Sequence, residues 1–290
     1  MFRAPASFVV VTIVVGVASL AGCGRSTPAP IPKPAPPSSP PVTPSAAVAT
    51  TPAAKAAPSA EPYVFAPASP DGIGKFYFGR EIAQVMGHEA ADWLDRSERT
   101  QEERTDLLID LLDLAPDAVV ADIGAGSGTL TFPIARHLPR GRVVAVDIQP
   151  EMLTLIADRA DAANIENIEL ILGAIDDARL APSSVDLVLF VDAYHEFSHP
   201  KEMLESIVRG LRPGGRVVQV EYRANDPEVP IKPLHTMTEA QSRRELEAAG
   251  LRWIRTRGDL PRQHVLIFEK PASMPVTGIE PALPVRGNGF

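Results

Sequence analysis

Five short apolar runs, each leading toward a stretch of helical character, constrain this chain more than any other feature. VVADI at 119–123, RVVAVDI at 142–148, IELIL at 168–172, VDLVLFV at 185–191 and RVVQVEY at 216–222 are rich in β-branched residues and apolar on both faces. Strands of that kind must be covered on both sides, which predicts a mostly parallel sheet between helical layers. The intervening segments supply the helices: one running to about Leu138, one opened by Pro150 with Met152, Leu153, Ile156 and Ala157 on one side, and one over Lys201 to Leu211. Arg212-Pro213-Gly214-Gly215 reads as a turn before the fifth strand. Thr238 and Gln241 form a capping-box pattern for a helix ending at Gly250, after which LRWIRT and HVLIFEK read as a final strand pair.

Composition divides the rest of the chain. Its 290 residues, 45% hydrophobic and 22% charged, suit one globular domain with extra segments. Residues 24–70 shift to Pro, Ala, Ser and Thr, and 14 of the 30 prolines fall between Arg25 and Pro70, so this stretch is expected to be a disordered, extended linker. Residues 71–115 are expected to form an N-terminal helical cap, with a helix from Glu98 to Leu114 closed by Pro116. The core is placed at 116–270, and 271–290 lack a helical or strand period and are left outside the fold as a disordered tail. A net charge of -8, without any run of Lys or Arg, disfavours a nucleic-acid partner.

The single cysteine, Cys23, excludes an internal disulfide. An apolar run from Phe8 to Leu20, too short for a comfortable membrane span, precedes Leu20-Ala21-Gly22-Cys23. Residues 1–23 thereby resemble the signal peptide and lipobox of a bacterial lipoprotein. That resemblance implies lipidation at Cys23, anchoring in the cell envelope, and a tether formed by 24–70. A non-functional signal would leave the protein cytoplasmic.

Chemistry is expected beyond the carboxyl ends of the strands, where such sheets bind ligands. The first strand runs into D-I-G-A-G-S-G, residues 122–128, where glycines let the backbone approach a ligand and a following helix offers unpaired N–H groups. The second strand delivers Asp147, a carboxylate suited to a ribose diol. A dinucleotide fingerprint would need glycine at 129, but Thr129 is there and the glycine is at 128.

Together with L-R-P-G-G-R-V-V at 211–218, these motifs resemble class I S-adenosylmethionine-dependent methyltransferases over roughly residues 75–270. The resemblance implies an α/β, Rossmann-like sandwich with a seven-stranded, mostly parallel sheet, helices on both faces and an antiparallel last strand. It implies S-adenosylmethionine as cofactor. Gly124, Ala125, Gly126 and Gly128 would pass its methionine and ribose part, Asp122 would satisfy its ammonium or nearby donors, and Asp147 would take the ribose hydroxyls. Asp176 or Asp177 would approach the adenine amine, with Ile148 and Ile175 on the ring faces. The implied partner is a small-molecule acceptor. The absence of cysteine from the folded domain argues against relatives that use thiols to bind arsenic.

VDAYHEFSHP at 191–200 contains His195, Glu196 and His199 at the H-E-x-x-H spacing of zinc proteases. A strand before it and Pro200 after it leave about one turn for the helix such a zinc site requires, so no metal is expected. A third ligand from His235 has no spacing to support it. In the methyltransferase resemblance this segment faces the sulfonium methyl, and His195 is the expected base, with Glu196 or Asp192 orienting or replacing it. Tyr77, Arg80, Tyr194 and Tyr222 are the acceptor-binding candidates. Two other functions fit the motifs: a non-catalytic nucleotide-binding lipoprotein module, and an NAD(P)-dependent oxidoreductase.

Overall fold

The computed structural model describes residues 62–272. The expected signal segment, Cys23, most of the expected linker and the tail from 273 onward lie outside the described residues.

The first elements correct the sequence expectation. β1 (Tyr63–Phe65), β2 (Gly72–Tyr77) and β3 (Arg80–Ala83) form a three-stranded antiparallel sheet where a helical cap was expected, and β1 falls inside the expected linker. Tyr77 pairs with Arg80, so Phe78 and Gly79 make a two-residue turn, with φ of +49° and +88°. Positive φ at both central positions matches the right-handed twist of the flanking strands, which is why this turn makes a hairpin rather than a helix. The Tyr63 hydroxyl donates to Glu202 and accepts from the Lys201 backbone N–H, holding β1 against the sequence-distant core.

Short helices follow: α1 (Ala91–Leu94), α2 (Arg99–Glu103) and α3 (Thr105–Leu111). The single helix expected over Glu98 to Leu114 is therefore broken. Arg104, in the left-handed conformation at φ +52°, ends α2 and turns the chain into α3.

From there the expected alternation holds except after β6, which runs to β7 through a loop without a helix. β4 (Val119–Ile123) leads to α4 (Thr131–His137), β5 (Arg142–Asp147) to α5 (Pro150–Ala163), and β6 (Ile168–Leu172) to β7 (Val185–Val191). α6 (Pro200–Gly210), β8 (Leu211–Tyr222), α7 (Glu239–Ala248), β9 (Arg252–Arg257) and β10 (Gln263–Glu269) complete the chain. Residues 212–215, expected as a turn, and Leu211, expected as the end of the preceding helix, are the start of β8. Thr238 caps α7 as expected, its hydroxyl accepting from the Gln241 N–H at 3.1 Å.

The seven strands lie in the order β6-β5-β4-β7-β8-β10-β9. β6, β5, β4, β7 and β8 are parallel, and β10 is antiparallel to both of its neighbours. Side chains alternate across each strand, so β4 feeds two cores. Val119, Ala121 and Ile123 join Leu204 and Ile207 of α6 and Leu246 of α7. Val120 joins Leu108 and Ile109 of α3 and Ile134 of α4. Leu204 is fully buried, and truncating such a leucine to alanine costs about 2–5 kcal/mol. The chain proceeds from β4 outward through β5 and β6, then returns to β7 on the other side. That reversal opens a crevice at the carboxyl ends of β4 and β7.

Candidate functional site

A cavity of about 580 Å³ occupies the crevice. Gly124 and Gly126 form part of its floor, both with positive φ, and a side chain on Gly124 would meet the Ala193 Cβ at 2.9 Å. These two glycines thus let the loop after β4 pass close to whatever fills the cavity. The Gly126 N–H donates to Asp147 Oδ2 at 2.9 Å, and the Gln149 N–H donates to Asp147 Oδ1 at 2.9 Å. Both oxygens keep lone pairs for a diol. Burial pushes the Asp147 carboxyl above the usual range against those backbone donors. Ile148 and Ile175 flank this end of the cavity, and Ile175 is 52% exposed, an apolar wall suited to a flat ring.

Ile73, Val85, Met86 and Trp93 from the N-terminal segment, and Pro230 and Ile231 after β8, add apolar lining. Gln149, after β5, ties the N-terminal segment to the cavity: its Oε1 accepts from the His88 N–H and its Nε2 donates to the Met86 carbonyl. No local pattern marks that tie, because it joins two loops more than 60 residues apart.

Three polar side chains converge on the same cavity. His195 sits in a single 3-10 turn, Tyr194–Glu196, that follows β7, and it is 2% exposed. Its Nδ1 lies 2.6 Å from Glu221 Oε2, and its Nε2 lies 3.1 Å from His235 Nδ1. Glu196 accepts from the Met86 N–H through Oε2, leaving Oε1 facing both histidines. The zinc-protease pattern is absent as a helix, as expected: Phe197 is extended, α6 begins at Pro200, and His199 precedes it without making a side-chain cap bond. His235, which spacing did not single out as a partner of His195, lies directly against it.

Asp192 is also at the cavity wall, with φ of +50°. Its Oδ2 accepts from Gln263, while Oδ1 is shielded from solvent and without a hydrogen-bond donor. Burial, followed by the nearby Glu103 and Glu221 carboxylates, drives its carboxyl well above the ordinary range. Beneath it, Glu103 accepts from Arg99, Arg96 and the Tyr222 hydroxyl.

Several expected site residues stand elsewhere. Arg80 is held by Glu245 at 2.8 Å, a buried pair, and donates to the His195 carbonyl, so it fixes the His195 segment. Tyr194 is fully buried and donates to the same Glu245, and Tyr77 packs against Tyr63 and Phe78. None of the three lines the cavity, whereas Tyr222 does. Asp177 pairs with Arg209 and Asp176 is exposed, and neither lines the cavity; the preceding Gly173, Ala174 and Ile175 do. Gly128 serves packing: a Cβ there would meet Phe132 at 2.6 Å. Asp122 lies under the loop, accepting from Thr131 at 2.6 Å, and burial raises its carboxyl to about 6. Ala125 is buried below the floor, its N–H bonded to the Val146 carbonyl.

This glycine loop, strand order and antiparallel β10 have a counterpart among known proteins. Residues 120–215 match the methyltransferase domain family. The fold is the Rossmann-like one of S-adenosylmethionine-dependent methyltransferases, and S-adenosylmethionine is the cofactor expected in it. A solved S-adenosylmethionine-dependent methyltransferase from Aquifex aeolicus superposes with a TM-score of 0.60 at 20% identity, covering 64% of this chain and all of that one. An arsenite methyltransferase of Halobacterium salinarum is 33% identical over 105 residues, 36% of this chain and 27% of that protein. An uncharacterized methyltransferase of Mycobacterium tuberculosis is 39% identical over 110 residues, 38% of this chain and 42% of that one. The chain thus spans less than half the length of the curated relatives it matches. The methyltransferase match covers the glycine loop, Asp147 and the His195 segment, but ends before Glu221 and His235.

Proposed function

We propose that the protein transfers a methyl group from S-adenosylmethionine to a small-molecule acceptor with an apolar body. One observation carries the reading: a single, largely apolar cavity is lined both by the glycine loop with Asp147 and by His195, Glu196 and His235. The sulfonium methyl would lie between the glycine loop and the histidines, at the switch point. The acceptor atom's electron pair forms the new bond to the methyl carbon as the carbon–sulfur bond breaks. The departing pair neutralises the sulfur, giving S-adenosylhomocysteine, and the acceptor's proton passes to the polar cluster. The apolar walls exclude water and hold the reactants in line, which supplies much of the rate in a reaction whose electrophile is already activated.

Calorimetric titration of the full chain with S-adenosylmethionine, S-adenosylhomocysteine and NAD tests the cofactor, and mass detection of methylated products across an acceptor panel tests the chemistry. Binding of NAD alone refutes the proposal. Cofactor binding with no product from any acceptor favours a non-catalytic binding module.

We also propose that Cys23 is lipidated and tethers the domain to a membrane in the cell envelope; Leu20-Ala21-Gly22-Cys23 after an apolar run supports this. Among the described residues no helix is long and apolar enough to cross a membrane. Cys23→Ala should move the protein from the membrane to the soluble fraction, and unchanged fractionation would refute the anchor.

A further inference from the structure

We infer that His195, Glu196 and His235 form a binding site for one divalent transition-metal ion at the acceptor end of the cavity. The three potential ligand atoms are His195 Nε2, His235 Nδ1 and Glu196 Oε1. They stand 3.1, 3.6 and 3.8 Å from one another. A triangle with those sides has a circumscribed radius of about 2.0 Å, which is the length of a metal bond to imidazole nitrogen or carboxylate oxygen. One point is therefore at bonding distance from all three.

The surroundings have the form that metal ligands require. His195 Nδ1 lies 2.6 Å from the fully buried Glu221 carboxylate, which fixes the proton on Nδ1 and leaves the Nε2 lone pair directed at His235. A carboxylate behind a histidine in this way sets the tautomer and raises the basicity of the ligating nitrogen. The Met86 N–H occupies Glu196 Oε2, leaving Oε1 for the ion. Arg80 pins the His195 backbone through its carbonyl. All three candidate ligands line the cavity, so the remaining coordination positions open toward the space where an acceptor would sit.

Two nitrogens and one carboxylate oxygen suit zinc, ferrous iron or a similar first-row ion, while magnesium and calcium favour all-oxygen sets. An ion here would take an acceptor oxygen or nitrogen directly and lower its pKa, the task otherwise left to the bare histidine pair. The site itself does not depend on methyl transfer.

The test uses the full chain, stripped with chelator and dialysed. Calorimetry with zinc, and visible absorption with cobalt(II), should each reach one equivalent, with no heat from magnesium. His235→Ala and Glu196→Gln should each weaken zinc binding at least tenfold, and Glu221→Gln about 10- to 100-fold. His235, at 24% side-chain exposure, can be truncated with less damage to the core than the buried His195, and far-ultraviolet circular dichroism checks that each variant is folded. Absence of stoichiometric zinc uptake, or uptake that His235→Ala and Glu196→Gln leave unchanged, would overturn the site. S-adenosylmethionine titrated in parallel separates the two proposals. Zinc binding without cofactor binding supports the metal site and sinks the methyltransferase reading; cofactor binding without zinc does the reverse.

Discussion

His195 Nδ1 and Glu221 Oε2 are 2.6 Å apart, with the histidine 2% and the glutamate 0% exposed at the side chain. The pair joins the end of β7 to β8 and fixes which face of the imidazole looks into the cavity. Glu221→Gln keeps the volume but removes the charge that selects the tautomer. Turnover is expected to fall about 10- to 100-fold with cofactor affinity unchanged. A matching loss of S-adenosylmethionine affinity in calorimetry would show that the pair merely supports the fold.

Asp147 accepts from the Gly126 and Gln149 N–H groups and lines the cavity beside the glycine loop. Hydrogen bonds to a charged group are worth about 1.5–3 kcal/mol each, so Asp147→Ala should weaken S-adenosylmethionine binding by roughly 10- to 100-fold or more. Unchanged affinity would place the ribose elsewhere.

Asp122 gives the domain a pH-dependent stability term. Burial raises its folded pKa to about 6, whereas an unfolded aspartate titrates near ~3.9. The folded state holds the proton more tightly, so this term is most favourable below about pH 4, declines as pH rises to about 6, and is flat above that. The ionised form then costs on the order of 3 kcal/mol relative to its neutral form. Asp122→Asn should therefore stabilise the ligand-free protein at about pH 7 and change little at about pH 4 by urea denaturation. An equal effect at both pH values would assign the change to packing or to the Thr131 hydrogen bond.

Much of this architecture is legible in the sequence because its signals are local. The β4, β5 and β7 runs are apolar on both faces, Pro150 and Pro200 open helices where a fixed φ suits the first turn, and Gly124 and Gly126 stand where φ is positive. What escaped is non-local or depends on two residues. The β2–β3 hairpin is marked only by Phe78-Gly79 between short strands, a weaker signal than Asn-Gly, and a run of aromatic and charged residues there can read as helix. His235 reaches His195 from 40 positions away because β7 and β8 are parallel neighbours, so the segments that follow them, which carry the two histidines, leave the same edge of the sheet. The expected roles of Arg80 and Tyr194 failed because residue type and position near a site do not reveal a buried carboxylate on a distant helix.

That carboxylate, Glu245 on α7, supplies the last prediction. It accepts two hydrogen bonds from Arg80, at 2.8 and 2.9 Å, one from Tyr194 at 2.7 Å and one from Gln241 at 2.7 Å. Arg80 is 10% and Glu245 0% exposed, so removing either leaves the other charged, buried and unpaired. Arg80→Ala is expected to cost about 3–5 kcal/mol of stability, and Glu245→Ala a similar amount. The double variant should lose less than the sum of the two, because neither charge is then stranded. Chemical denaturation of the four proteins measures this coupling. Additive losses would mean that the pair contributes through packing alone, and a stable Arg80→Ala protein with weakened acceptor binding would return Arg80 to the acceptor site.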